Sequence, residues 1–246
     1  MEGEAVLSET LAQYAALMVM ERLYGPEEIR RFLKGSLDGY LRARATDALD
    51  EVPLERVDEQ AHIRYQKGGM VMYLLKDLIG EAAVNRALQS LLSEFAFKGP
   101  PYPRSRELIS RLRAEAGPEH QQLISDLFEK ITLYDVKVTD ARSSRRPDGK
   151  WDGVIEVEAR KLYADRKGVE TEAALDETFD IGVFTAEPGT NGYTSASVLS
   201  MERQRVRSGR HTLTAVVDQE PRFAGVDPYN KYVDRKSDDN VRRVRE

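Results

Sequence analysis

Residues 131–139 read Ile-Thr-Leu-Tyr-Asp-Val-Lys-Val-Thr, and the character of the chain changes there. Tyr134, Val136 and Val138 alternate with Asp135, Lys137 and Thr139. A period of two puts one set on each face of a strand. Downstream, Ile155, Val157 and Ala159 alternate with Glu156, Glu158 and Arg160, and Leu213, Ala215 and Val217 repeat the pattern. Pro147-Asp148-Gly149 and Asp165-Arg166-Lys167-Gly168 lie between these runs. Both have hairpin-turn chemistry, with a glycine free to take positive φ. Several short strands separated by turn signals predict a small antiparallel β-sandwich. Trp151, Tyr163 and Phe179 are expected in its core. From about Ser237 the residues are charged and are expected to be loose.

Upstream of Ile131 the spacing is helical. Leu7, Leu11, Tyr14, Met18 and Leu23 form one stripe. Gly25-Pro26 ends that helix and starts another, with Glu27 and Glu28 in the first turn, where the helix dipole favours acids. Ile29, Phe32 and Leu33 continue it towards Leu41. Residues 46–60 are acidic, contain Pro53 and read as a loop. Helical spacing returns over Tyr65–Ile79, and after Gly80 through Val84, Ala87, Leu88, Leu91 and Phe95. Residues 99–103 form a Pro-rich connector. Two more helices are predicted over 104–116 and 118–130, split by Gly117-Pro118. The fold class is therefore α+β. A helical domain over residues 1–131 precedes an antiparallel β-sandwich domain over 132–246.

The 246 residues carry a formal net charge of −5, with 32% charged residues of both signs interspersed. That pattern gives no basis for nucleic-acid binding. Cysteine is absent, which excludes disulfides, thiolate metal sites and thiol nucleophiles. The longest apolar stretch, Tyr14–Met20, falls well short of the ~20 residues of a membrane span. The first residues are acidic, unlike a signal peptide. The chain as given is expected to be soluble.

Only three histidines exist, His62, His120 and His211, and no two have HExxH spacing. There is no GxSxG, P-loop or GxGxxG. Lys67-Gly68-Gly69 is too short for a phosphate loop. Two segments stand out. In Leu7-Ser8-Glu9-Thr10-Leu11-Ala12-Gln13-Tyr14, Glu9 is a carboxylate amid apolar and small residues. It either caps, faces solvent or coordinates a ligand, and pattern alone favours the first two. In Arg64-Tyr65-Gln66-Lys67-Gly68-Gly69-Met70-Val71, a tyrosine precedes two glycines, where backbone or substrate could approach closely. Pattern alone favours an amphipathic tyrosine at a helix entry.

In order along the chain, these segments resemble the aminopeptidase N family of gluzincin metallopeptidases. That family reads HExxH, then W-L-x-E-G-F-A-x-Y, then Y-x-K-G. Residues 7–14 are similar to L-x-E-G-F-A-x-Y, with Thr10 and Leu11 in place of Gly-Phe, and Tyr65-Gln66-Lys67-Gly68 matches Y-x-K-G. The likeness covers residues 4–130, and the strand half is similar only loosely to the sandwich that follows in the family. The resemblance implies that Glu9 is the third zinc ligand and that Tyr65 donates a hydrogen bond to the oxyanion of the tetrahedral intermediate. It also implies that Gly68 and Gly69 leave room for substrate at the site wall. The HExxH pair, its glutamate and the exopeptidase G-x-M-E-N strand would lie before Met1. Zinc is thus expected in the intact protein and not in this chain alone, which is expected to be inactive on peptides.

The wording of residues 7–21 also resembles a bacterial subgroup in which the peptidase-like domain follows the membrane helices of an ABC-type permease. The implied partners are the missing N-terminal catalytic part, and a membrane part where that subgroup applies, with a peptide substrate for the intact protein. A homodimer through the exposed helical face is a further expectation. The rival reading is a non-catalytic interaction or scaffold module of a membrane transport protein, motivated by Thr10, Leu11 and the missing ligands. Asp227-Pro228-Tyr229, Asp234 and Asp238-Asp239-Asn240 lack calcium-loop spacing and read as solvated turns. Arg203, Arg205, Arg207 and Arg210 read as a solvated strand edge.

Overall fold

A computed structural model describes residues 3–245. A π-turn at Val6–Thr10 runs into helix α1 (Leu11–Tyr24), followed by α2 (Ile29–Arg44). A second π-turn, His62–Lys67, leads into α3 (Gly68–Ile79), and α4 (Glu81–Phe95) and α5 (Ser105–Glu115) follow. The stretch 118–130, read as one helix, is a 3-10 turn, the single-turn α6 (Gln121–Ile124) and a π-turn (Ser125–Glu129). The strands are β1 (Ile131–Arg145), β2 (Trp151–Ala164), β3 (Glu170–Ala173), β4 (Asp176–Phe184), β5 (Val198–Arg207), β6 (Gly209–Val217), β7 (Phe223–Val226) and β8 (Val241–Arg243). The fold is α+β, a helical region followed by a β-rich one. Among the described residues no helix is long and apolar enough to cross a membrane.

The chain divides into two compact units. The first runs to Leu23 and adds Gly35–Thr132 and the hairpin tip Tyr163–Glu170. The second holds Tyr24–Lys34, Leu133–Leu162 and the chain from Thr171 onward.

In the first unit α3 is the central helix. Met70, Val71, Met72, Tyr73, Leu74 and Leu75 are all at most 2% exposed, so six consecutive residues are buried on every side of this helix, as inside a core. Each such side chain contributes roughly 1.5–3 kcal/mol on burial. From α1, Tyr14, Leu17 and Met18 are buried. Leu23, placed on the apolar stripe by its spacing, is 68% exposed instead. Glu21 of α1 ties the two helices together, accepting from the Tyr73 hydroxyl at 2.7 Å and pairing with Lys76 at 2.7 Å.

In the second unit two antiparallel sheets form. In one, β2 is hydrogen-bonded to β1, β3 and β6, with Trp151 opposite Val217 and Ala159 opposite Gly209 in the β2–β6 pairing. The other has the order β5-β4-β7-β8. Tyr134 of the first sheet meets Phe179 of the second edge-on at 6.2 Å, and Tyr232 packs on both rings at 4.8 and 4.3 Å. This aromatic group is the sandwich core. Of the three expected core aromatics only Phe179 is fully buried. Trp151 is half-buried, and Tyr163 belongs to the first unit, where its hydroxyl bonds Asp126 at 2.8 Å. Both predicted turns form with their glycines at positive φ, +87° for Gly149 and +81° for Gly168.

The end of the chain differs from expectation. Ser237–Asp239 is a 3-10 turn, and β8 pairs with β7. Arg245 exchanges backbone hydrogen bonds with Ala141 and Ser143 at 2.9 Å. Asn240 is fully buried. Backbone pairing and one buried amide hold this segment, so its charged side chains gave no alternation to read.

Candidate functional site

The two segments singled out in the sequence meet in the first unit. Thr10 in the first π-turn donates its hydroxyl to the Arg64 carbonyl at 2.6 Å. A Cβ on Gly68 would lie 2.4 Å from the Thr10 hydroxyl oxygen, and one on Gly69 would lie 2.7 Å from Gln13 Cγ. The glycines therefore let α3 approach the first π-turn and α1 closely. The room above Gly68 and Gly69 is filled by Thr10 and Gln13.

The Tyr65 phenol lies within reach of the Glu9 carboxylate's influence. Glu9 first, then burial, hold the phenol above the usual tyrosine value, and Arg64 opposes them. The Arg64 guanidinium lies over the Tyr65 ring, 5.3 Å from its centroid. A phenol so placed is a neutral hydrogen-bond donor at pH 7.

Zinc needs about four donors, mostly imidazole, thiolate and carboxylate. Glu9 supplies one. Among the described residues no three His, Cys, Asp or Glu side chains converge on a common point. Among the described residues, the donor set around Glu9 does not fit a zinc ion. The three histidines are elsewhere engaged. His120 lies 3.7 Å from Glu119, His211 Nε2 contacts the Arg207 carbonyl at 2.7 Å, and His62 lies 3.7 Å from Asp47.

A second polar cluster in the first unit was not foreseen. Glu51, 6% exposed, accepts from the Tyr40 hydroxyl and pairs with Arg44 at 2.6 Å and with Lys67 at 3.4 Å. Lys67 is 1% exposed, and its ammonium also reaches the Tyr40 oxygen at 3.4 Å. Burial pushes the Lys67 ammonium down, against the pull of Glu51. Burial alone would raise the Glu51 carboxyl, but the charge of Lys67, the Tyr40 hydrogen bond and Arg44 outweigh it and hold it low. Removing one partner from such a buried pair typically costs ~3–5 kcal/mol, because a charge is left uncompensated. Lys67 sits two residues after Tyr65, so this anchor fixes the π-turn that carries the tyrosine. One signal was available in the sequence. A lysine directly before Gly-Gly-Met-Val has almost no polar surroundings unless an acid is brought to it.

The remaining candidates are structural. Asp227 is buried and accepts the backbone N–H groups of Lys231 and Tyr232 at 2.9 and 3.0 Å. On edge strand β5, Arg205 grips Asp176 with two bonds of 2.6 and 2.9 Å, and Arg203 reaches Asp180 at 3.4 Å. Compared with protein-family models and with curated proteins, the chain matches none. The likeness to aminopeptidase N therefore rests on the residues of the two segments alone.

Proposed function

We propose that this chain is the C-terminal part of a zinc-dependent aminopeptidase-like protein, in which peptide-bond hydrolysis belongs to the intact protein. The observation that supports the reading is that the Tyr65 phenol lies near enough to the Glu9 carboxylate for Glu9 to be the main cause of its raised pKa. The two residues lie 56 positions apart, in two motifs that follow the family's order along the chain. In the intact protein Glu9 serves as a metal ligand beside imidazoles supplied from outside this chain. Tyr65 is then a donor to the oxyanion of the tetrahedral intermediate. An aimed donor of this kind contributes ~3–4 kcal/mol to the transition state. The bacterial permease-linked subgroup is the proposed setting, with a membrane anchor outside this chain. The exposed apolar side chains Val19 and Leu23 of α1 are the proposed seat of the rest of the protein or of a second copy.

In the intact protein, Tyr65→Phe is expected to lower kcat about 10²–10³-fold on an aminoacyl substrate, with little change in bound zinc. Unchanged kcat would remove Tyr65 from the reaction. The gene upstream of Met1 gives the sharper test. Without an HExxH roughly twenty residues before Glu9, the enzyme reading fails.

One observation favours the rival reading, a non-catalytic interaction module of a membrane transport protein. Thr10, where the family has glycine, uses its side chain to lock the first π-turn onto Arg64.

A further inference from the structure

A cleft of about 260 Å³ lies within the first unit, between the end of α2, the loop 47–51 and the hairpin tip 165–168. We propose that it binds a small oxyanion, a carboxylate or phosphate group, between Arg44, His62, Arg166 and Lys167. The inference is independent of the aminopeptidase reading and uses neither Glu9 nor Tyr65. It follows from which hydrogen-bonding groups of the lining are already engaged. Both Glu51 oxygens are occupied, one by Tyr40 and Lys67 and the other by Arg44 Nε. Asp47 accepts from the Leu49 N–H at 3.0 Å and from the Gln60 amide at 3.0 Å.

The groups left over are mostly donors or cations. Arg44 Nη2 and His62 Nε2 are buried without a hydrogen-bond partner, and His62 as a whole is 7% exposed. Arg166 and Lys167 are exposed at the rim, and the Glu51 N–H bonds the Arg166 carbonyl at 2.8 Å, which fixes the hairpin against the loop. Gly168, at φ +81°, lets the hairpin tip lie against the Arg44 guanidinium. A Cβ there would stand 3.8 Å from Nη2. The opposing charges are Asp50, exposed on the rim, the already engaged carboxylates Asp47 and Glu51, and Glu170, 3.8 Å from Arg44 Nη1. A guanidinium edge with nearby cations is the usual way proteins hold carboxylate and phosphate. The volume is slightly below the ~300–1,000 Å³ of sites for drug-sized ligands, so the occupant is small.

His62 also provides the readout. Its Nδ1 faces Asp47 at 3.7 Å, and Glu51, Lys67, Arg44 and the stacked Tyr40 ring surround it. An anion at Nε2 favours the doubly protonated ring. The chain has only three histidines, so their ring signals can be followed individually by NMR. Potassium phosphate and, separately, potassium acetate are titrated into the full chain at constant ionic strength. The expected result is a saturable shift of the His62 ring, with a rise in its pKa, while His120 and His211 stay still. Whichever anion saturates first names the ligand class. Arg166→Ala/Lys167→Ala, at exposed positions that leave the core intact, should weaken binding roughly fivefold, and Asp50→Asn should tighten it about twofold. No saturable shift at His62 with either anion, or equal affinity in the rim double variant, overturns the proposal.

Discussion

Asp234 shows at the residue scale how one buried carboxyl can oppose stability as pH rises. It is 1% exposed and accepts the Val136 N–H at 3.1 Å and the Lys236 N–H at 2.9 Å. Burial pushes its pKa from 3.8 up to about 7, against those two hydrogen bonds. A folded pKa above the unfolded one means that its stabilising share is fully present below the unfolded value. That share is lost as pH rises through about 7. Carboxylates such as Glu51, held low in the folded state, act with the opposite sign, so the wild-type pH profile alone would not isolate Asp234. Asp234→Asn does not titrate. Its stability gap to wild type should shrink between about pH 4 and 8, by at most ~4 kcal/mol. Urea midpoints of the two proteins across that range measure it. A gap independent of pH would mean that Asp234 ionises in the folded protein as it does in the unfolded chain.

Close packing between the first π-turn and α3 decides the effect of substitutions at the scale of elements. Gly68→Ala would bring a methyl to 2.4 and 2.8 Å from Thr10 Oγ1 and Cγ2. The cost should be ~1–3 kcal/mol by overpacking, despite the better helix propensity of alanine. In a Thr10→Ala background both of those atoms are gone, and the cost should fall, with a coupling of ~0.5–3 kcal/mol in a double-mutant cycle. Gly35 in α2 has nothing within 4 Å of its Cβ position, so Gly35→Ala should stabilise by ~0.4–1 kcal/mol. Opposite signs at two helical glycines, read by chemical denaturation, test the packing directly. The same contrast shows what the sequence could reveal. The change of period at Ile131, Gly149 and Gly168 at their turns, and α3 as an apolar run are local signals, and each was legible. Strand β8 was not, because three residues with one apolar side chain carry no period. Nor was the burial of Glu51, which lies in an acidic loop and is drawn in by Arg44 and Lys67, 7 and 16 residues away. The Glu9–Tyr65 contact was suggested only by motif order, since no periodicity joins residues so distant in the chain.

For the molecule as a whole, the chemistry follows from how many metal donors it can assemble. Structural zinc sites reach ~10–16 kcal/mol by combining four ligands. Glu9 alone, a single carboxylate, competes poorly with water for the ion. The chain purified by itself should therefore hold no stoichiometric zinc and show no hydrolysis of aminoacyl substrates. Tyr65 supplies an internal probe of the same point. Glu9 is the largest cause of its raised pKa, so Glu9→Gln should lower the phenol's titration midpoint in ultraviolet difference spectra. Added zinc should leave that midpoint unchanged in the wild-type chain, because a metal bound by Glu9 would withdraw the carboxylate from the phenol. One equivalent of tightly held zinc that Glu9→Gln abolishes, with a shift in the Tyr65 titration, would show instead that residues of this chain complete the site.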